Sequence, residues 1–185
     1  MDDNRTFTAF VDDTLVVSGP LQTVLPVLKT RLEAAGPEMV LIFEDQTGRQ
    51  VDFDLRGSLA EVFARAAPPP SRTGPGRPKL GVVSREISLL PRHWQWLEAQ
   101  PNGASAALRR LVDHASKQES PQQRSRRAME AAGRFLTAMA GNLPNYEEAS
   151  RALYRAARPQ FDALSAVWPA DIRDHARRLA ADVWQ

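Results

Sequence analysis

Six cations stand between positions 77 and 110 of this 185-residue chain: Arg77, Lys79, Arg85, Arg92, Arg109 and Arg110. Few carboxylates accompany them. Residues 71–127 hold 11 basic and 4 acidic side chains, a net charge of +7, whereas residues 1–70 carry −5 and residues 128–185 balance to zero. The overall charge of +2 conceals this asymmetry. Guanidinium and ammonium groups gathered in one stretch are suited to neutralising a polyanion, and the phosphates of a nucleic acid present the matching row of charge. Two hydroxyls in the same stretch, Ser88 and Ser105, can bond to base edges or to phosphate oxygens.

Other chemistries find less material. There is no cysteine, so there is neither a disulfide nor a thiolate metal site, a usage compatible with a reducing cytoplasm. His93, His114 and His175 are the only histidines, and none has a second histidine at helical ligand spacing. Asp171 and His175, four apart, read as a surface pair on one helix. Asp12-Asp13 and Asp52/Asp54 read as turn and strand-face residues. No P-loop, GxSxG or dinucleotide fingerprint is present. Arg124, Arg126 and Arg127 crowd the start of a helix, the unfavourable end for cations, so either an anion compensates them or the helix starts later. Trp94, Trp96, Trp168 and Trp184 read as core residues. No enzyme activity, cofactor or metal is expected.

The elements that must position the basic stretch follow from periodicity. Phe7 to Val11 and Leu15 to Val17 are apolar runs split by Asp12-Asp13-Thr14, the spacing of a hairpin. Leu21, Val24, Leu25, Leu28 and Leu32 predict an amphipathic helix over 21–35 that tolerates Pro26 and ends at Gly36-Pro37. Met39 to Phe43 reads as a buried strand, and Val51, Phe53 and Leu55 as a half-buried one. Ser58 with Glu61 forms a capping box ahead of a short helix. These segments make a small N-terminal ββαββα domain over residues 1–66. Residues 67–79 are a Pro/Gly linker. Residues 119–185 read as a helical bundle, with stripes through Met129, Ala132, Leu136 and Met139, through Phe161, Leu164, Val167 and Trp168, and through Ile172, Ala176, Leu179 and Val183. Asn145 with Glu148 has capping-box spacing. The fold class expected is α+β. MDDNRTFTAF lacks the pattern of a signal peptide, and no apolar run is long enough to span a bilayer.

Between linker and bundle, residues 80–118 read as one strand and two helices. Val82 to Leu90 alternates, with Val83, Ile87 and Leu89 on one face and Ser84, Glu86 and Ser88 on the other. Pro91 suits a first helical position, Trp94 and Leu97 share a face, and Pro101-Asn102-Gly103 ends the helix. Ser105 is placed to cap the next, with Leu108, Leu111, Val112 and Ala115 on one stripe. This order resembles a ribbon-helix-helix unit. The resemblance implies that two chains pair their strands into a ribbon for the major groove, and that Ala104, Ser105 and Ala106 open the second helix against phosphate. Glu86 departs from the usual outward face, because a carboxylate repels phosphate. The alternative is a strand that pairs within the chain and helices that join the bundle. Gly76-Arg77-Pro78-Lys79 resembles the core of an AT-hook, which implies an A·T-rich minor groove as its target. Pro75 stands where that motif has its first arginine.

Taken together, Val51 to Gly57 (VDFDLRG), Gly76 to Val83 (GRPKLGVV), Leu89 to Trp94 (LLPRHW), Gly103 to Val112 and Trp168 to Ile172 resemble the uncharacterised bacterial family called domain of unknown function 2239. That family carries no activity to transfer. Two functions are therefore expected from the residues. The first is a cytoplasmic DNA-binding homodimer, a transcriptional regulator or nucleoid-type protein. In it Arg77 and Lys79 serve the minor groove, Arg85, Arg92, Arg109 and Arg110 neutralise phosphates, and Ser88 and Ser105 add polar contacts to double-stranded DNA. The second is a protein-interaction module that binds a partner through its N-terminal or C-terminal domain, its basic stretch binding no DNA.

Overall fold

The computed structural model describes residues 5–36, 39–66, 85–117 and 120–184. Strands β1 (Phe7–Val11) and β2 (Thr14–Gly19) form the expected hairpin, turned at Asp12 with φ of 50°. Helix α1 (Leu21–Ala35) follows with Pro26 inside it, and the Gly36 N–H caps its end on the Leu32 carbonyl. Strands β3 (Val40–Glu44) and β4 (Arg49–Val51) complete an antiparallel sheet of order β2-β1-β3-β4. β4 stops earlier than the alternation of Val51, Phe53 and Leu55 suggests. Phe53 and Leu55 still pack on the core, but from irregular backbone. Helix α2 (Leu59–Ala66) opens on the capping box read from the sequence: the Ser58 N–H donates to Glu61 Oε2 at 2.7 Å. The fold is α+β, with no described helix long and apolar enough to cross a membrane.

Further along lie α3 (Pro91–Glu98), α4 (Gly103–Lys117), α5 (Pro121–Met139), α6 (Tyr146–Tyr154), α7 (Arg158–Leu164) and α8 (Ala170–Leu179), with 3₁₀ turns at Ser165–Val167 and Ala181–Val183. The chain divides into two compact units. One joins residues 1–67 to residues 121–185, and the other is residues 68–120. The boundary expected between an N-terminal domain and a C-terminal bundle is therefore not where the packing separates. Period-two alternation explains why. Phe7 and Ala9 turn one face of β1 toward Val24 and Leu28 of α1. Phe10 lies on the other face, with Phe43, among Ala132, Phe135 and Leu136 of α5 and Ile172 and Ala176 of α8. A strand apolar on both faces needs a layer on each side, and residues 1–66 supply only one.

One local expectation fails for a clear reason. Asn145 precedes α6 in the left-handed conformation (φ 63°) and makes no side-chain cap. A capping side chain reaches back from extended backbone; here the carboxamide donates instead to the Leu164 carbonyl at 3.3 Å.

The turn between β3 and β4 presses on α5. Gly48 has φ of 64°, and a Cβ there would collide with the Ala131 carbonyl oxygen. Arg134 Nη1 fixes the approach by donating to the Thr47 carbonyl at 2.7 Å. Gly48→Ala is expected to cost more than ~2 kcal/mol, combining left-handed strain with a backbone clash. Urea denaturation of the full chain checks this, and a loss under ~0.5 kcal/mol would mean that the turn and α5 are not in contact.

Candidate functional site

The basic stretch maps to the second compact unit. Pro91 occupies the first position of α3, as read from the sequence, with Leu90 extended before it. Asn102 and Gly103, with φ of 67° and 76°, reverse the chain into α4. Helix α4 begins at Gly103, two residues before the expected cap, so Ser105 lies inside its first turn. There its Oγ accepts from Arg109 Nη2 at 3.0 Å. Arg110 Nη2 reaches back to the Pro101 carbonyl at 3.3 Å, and Arg92 Nε donates to His93. Arg85 and Ser88 lie in the irregular segment before α3. Residues 85–90 form no strand ladder, and a strand that pairs only with a second copy would show none within one chain. Val82 to Ser84, Arg77 and Lys79 lie outside the described residues.

Two properties of this unit stand out. Arg85, Arg92, Arg109 and Arg110 are all exposed, and no carboxylate pairs with any of them among the described residues. By contrast, Arg56, Arg65, Arg126, Arg134, Arg151, Arg158, Arg173 and Arg177 each sit against an Asp or Glu. The second property is apolar. Leu97 and Ala107 are buried between α3 and α4, but Ile87, Leu90, Trp96, Leu111 and Val112 remain 49–62% exposed. Of the expected stripe, Leu108 is half-buried while Leu111, Val112 and Ala115 are exposed.

A residue that the sequence reading set aside is conspicuous in the other unit. His175 is not a surface partner of Asp171. It is 2% exposed, with its ring 4.5 Å from that of Phe135 and 5.5 Å from that of Phe10, while Asp171 Oδ2 accepts the Leu15 N–H at 2.8 Å. His175 Nδ1 lies 3.0 Å from Arg178 Nη2. A guanidinium only donates, so Nδ1 accepts and the neutral ring carries its proton on Nε2. Nε2 has no hydrogen-bond partner; Asp45 Oδ1 is 3.7 Å away. An unmet buried donor costs about 1–3 kcal/mol. The signal in the sequence is the period of α8, which puts His175 beside Ile172 and Ala176 on the apolar stripe.

Burial pushes the His175 imidazole down to about 4; the Asp45 carboxylate opposes this and the Arg178 guanidinium reinforces it. The unfolded chain therefore takes up a proton below its ordinary value of 6.5 that the folded chain refuses, and stability falls as pH falls through that window. Between pH 7 and pH 5 the loss from this group is expected to be ~2 kcal/mol. His175→Phe should flatten the denaturation midpoint over that range, and an unchanged slope would assign the titration elsewhere.

A family model described as "Uncharacterized protein conserved in bacteria (DUF2239)" matches residues 6–180, nearly the whole chain. No curated protein and no solved structure matches it.

Proposed function

The chain belongs to this bacterial family, whose description carries no activity, and we propose from its residues that it is a double-stranded DNA-binding homodimer, a transcriptional regulator or nucleoid-type protein. The observation that carries the reading is the pairing of two properties in one short unit: four arginines with no carboxylate partner among the described residues, and large apolar side chains, Trp96, Leu111 and Val112 among them, that are about half or more exposed. Guanidinium groups bonded only to neutral acceptors keep their charge available to phosphate. Residues 85–117 are too few to enclose a core of their own, and chains of that size usually gain one by oligomerising. A second copy would cover Trp96, Leu111 and Val112. Arg109 and Arg110, near the start of α4, would then meet phosphates beside the helix N–H groups. Arg85 and Arg92 would add backbone contacts, Ser88 and Ser105 polar ones, and Arg77 and Lys79 an arm toward an A·T-rich minor groove.

A second reading, a protein-interaction module, draws on a different observation. Glu86 sits beside Arg85 and opposes phosphate, and the same uncovered apolar side accommodates an unrelated protein as readily as a second copy.

Two measurements separate the readings. Titrating a duplex of about 30 base pairs should give salt-dependent affinity, with log K falling against log salt by about 0.9 per phosphate contact and some six to eight contacts per dimer. Arg109→Ala/Arg110→Ala should shallow that slope and weaken binding at least about ten-fold near 100 mM salt. Leu111→Glu/Val112→Glu should convert dimer to monomer by light scattering and reduce affinity with it. A monomeric wild type that ignores DNA at low salt would sink the DNA-binding reading and leave the interaction module.

A further inference from the structure

The larger unit contains a cleft of about 280 Å³ whose walls come from both ends of the chain. β1 supplies Thr8, β2 supplies Ser18, and the turn after β3 supplies Asp45 and Gln46. Opposite them lie Arg124 and Arg127 of α5, His175 and Arg178 of α8, and Asp182 of the last 3₁₀ turn. The hydroxyls are ordered. Thr8 donates to Asp45 Oδ1 at 2.8 Å. Its only proton is thereby used, so Ser18, 2.8 Å from Thr8 Oγ1, is the donor in that pair.

Two observations identify what the cleft is built to hold. His175 lines it, and the buried Nε2–H of that ring makes no hydrogen bond within the protein. Arg124 and Arg127 sit in the first two turns of α5, a helix that begins at Pro121 with no acidic residue in its first turn. That is the end of a helix where cations are disfavoured and an anion is favoured. With Arg178 they set three guanidinium groups along one cleft, against the carboxylates of Asp45 and Asp182. An arrangement of this kind matches a solute with an oxyanion at one end and hydroxyl groups at the other. A hydroxyl of the solute would accept from His175 Nε2–H and donate a hydrogen bond to the Asp45 carboxylate, with the oxyanion against the arginines.

We propose that this cleft is a binding site for a small hydroxylated anion, a sugar phosphate or a hydroxy acid. The volume suits a compact metabolite. The site lies entirely within the unit that carries none of the proposed DNA contacts, so it stands or falls independently of that reading.

The test uses the full-length protein without DNA. Glycerol 3-phosphate, malate and inorganic phosphate are each titrated against the thermal midpoint, with sodium chloride at matched ionic strength as control. In parallel, long-range ¹H–¹⁵N spectra follow the His175 ring nitrogens. A saturable rise with glycerol 3-phosphate or malate, at least about five-fold tighter than with inorganic phosphate, is expected, since the hydroxyl meets a donor and an acceptor that phosphate alone leaves unmet. The stronger of the two organic anions names the class. The His175 Nε2 resonance should shift with the same saturation curve. Arg127→Gln, a change at an exposed position that should leave the fold intact, should weaken binding about ten-fold or more. No rise above the chloride control overturns the proposal. So does a rise that leaves the His175 resonances in place or is equal in Arg127→Gln.

Discussion

The structure depends on β1 being covered on both faces. Phe10 meets Phe43 and Phe135 at ring distances of 6.2 and 5.5 Å, and His175 closes the cluster edge-on. Each fully buried ring contributes on the order of 1.5–3 kcal/mol by burial, so this cluster alone ranks with the net stability of a small domain. It also binds the first third of the chain to the last. The Leu15 N–H bonded to Asp171 and the Thr47 carbonyl held by Arg134 repeat that link at the hairpin and at the next turn. Placing the last helices against the sheet is what brings His175 and three arginines over Thr8, Ser18 and Asp45.

The two units solve the problem of burial differently. The larger buries Phe7, Phe10, Phe43, Phe135, Phe161 and Trp168 and pairs most of its arginines with carboxylates. The smaller leaves Trp96, Leu111 and Val112 about half or more exposed, and its described arginines pair with no carboxylate. The contrast follows in part from composition, since residues 71–127 hold 11 basic side chains against 4 acidic ones. Surface cations on a self-sufficient domain are normally offset by neighbours; cations without such neighbours keep a local field that acts on whatever approaches.

Local structure was largely legible in the sequence. The α1 boundaries, the Ser58–Glu61 box, Pro91 at a helix start and the Asn102-Gly103 reversal each follow from residues within a few positions of one another. What was not legible is non-local. Nothing near Phe10 announces that Phe135 will cover it, so sheet and last helices read as separate domains. The same gap hid the cleft, since Thr8, Asp45, Arg127 and His175 belong to segments far apart in the chain. The four-residue spacing of Asp171 and His175 suits a surface pair, but His175 also shares the apolar stripe of Ile172 and Ala176, and burial on that stripe decides its place. Cap spacing at Asn145 and Ser105 says nothing of backbone conformation, and there the left-handed φ of Asn145 and the earlier helix start at Gly103 prevail.

The interrupted larger unit has a consequence for how the protein is made. Residues 1–67 leave the ribosome before the whole of the smaller unit, and the helices that cover Phe10 and Phe43 follow only after it. At ordinary translation rates the open face of the sheet waits on the order of ten seconds for α5 and α8. During that interval a four-stranded sheet with an uncovered aromatic face is the nascent chain's most adhesive surface, and folding becomes a contest between late synthesis and early association. The order of segments along the gene, and not their final packing, sets how long that contest lasts.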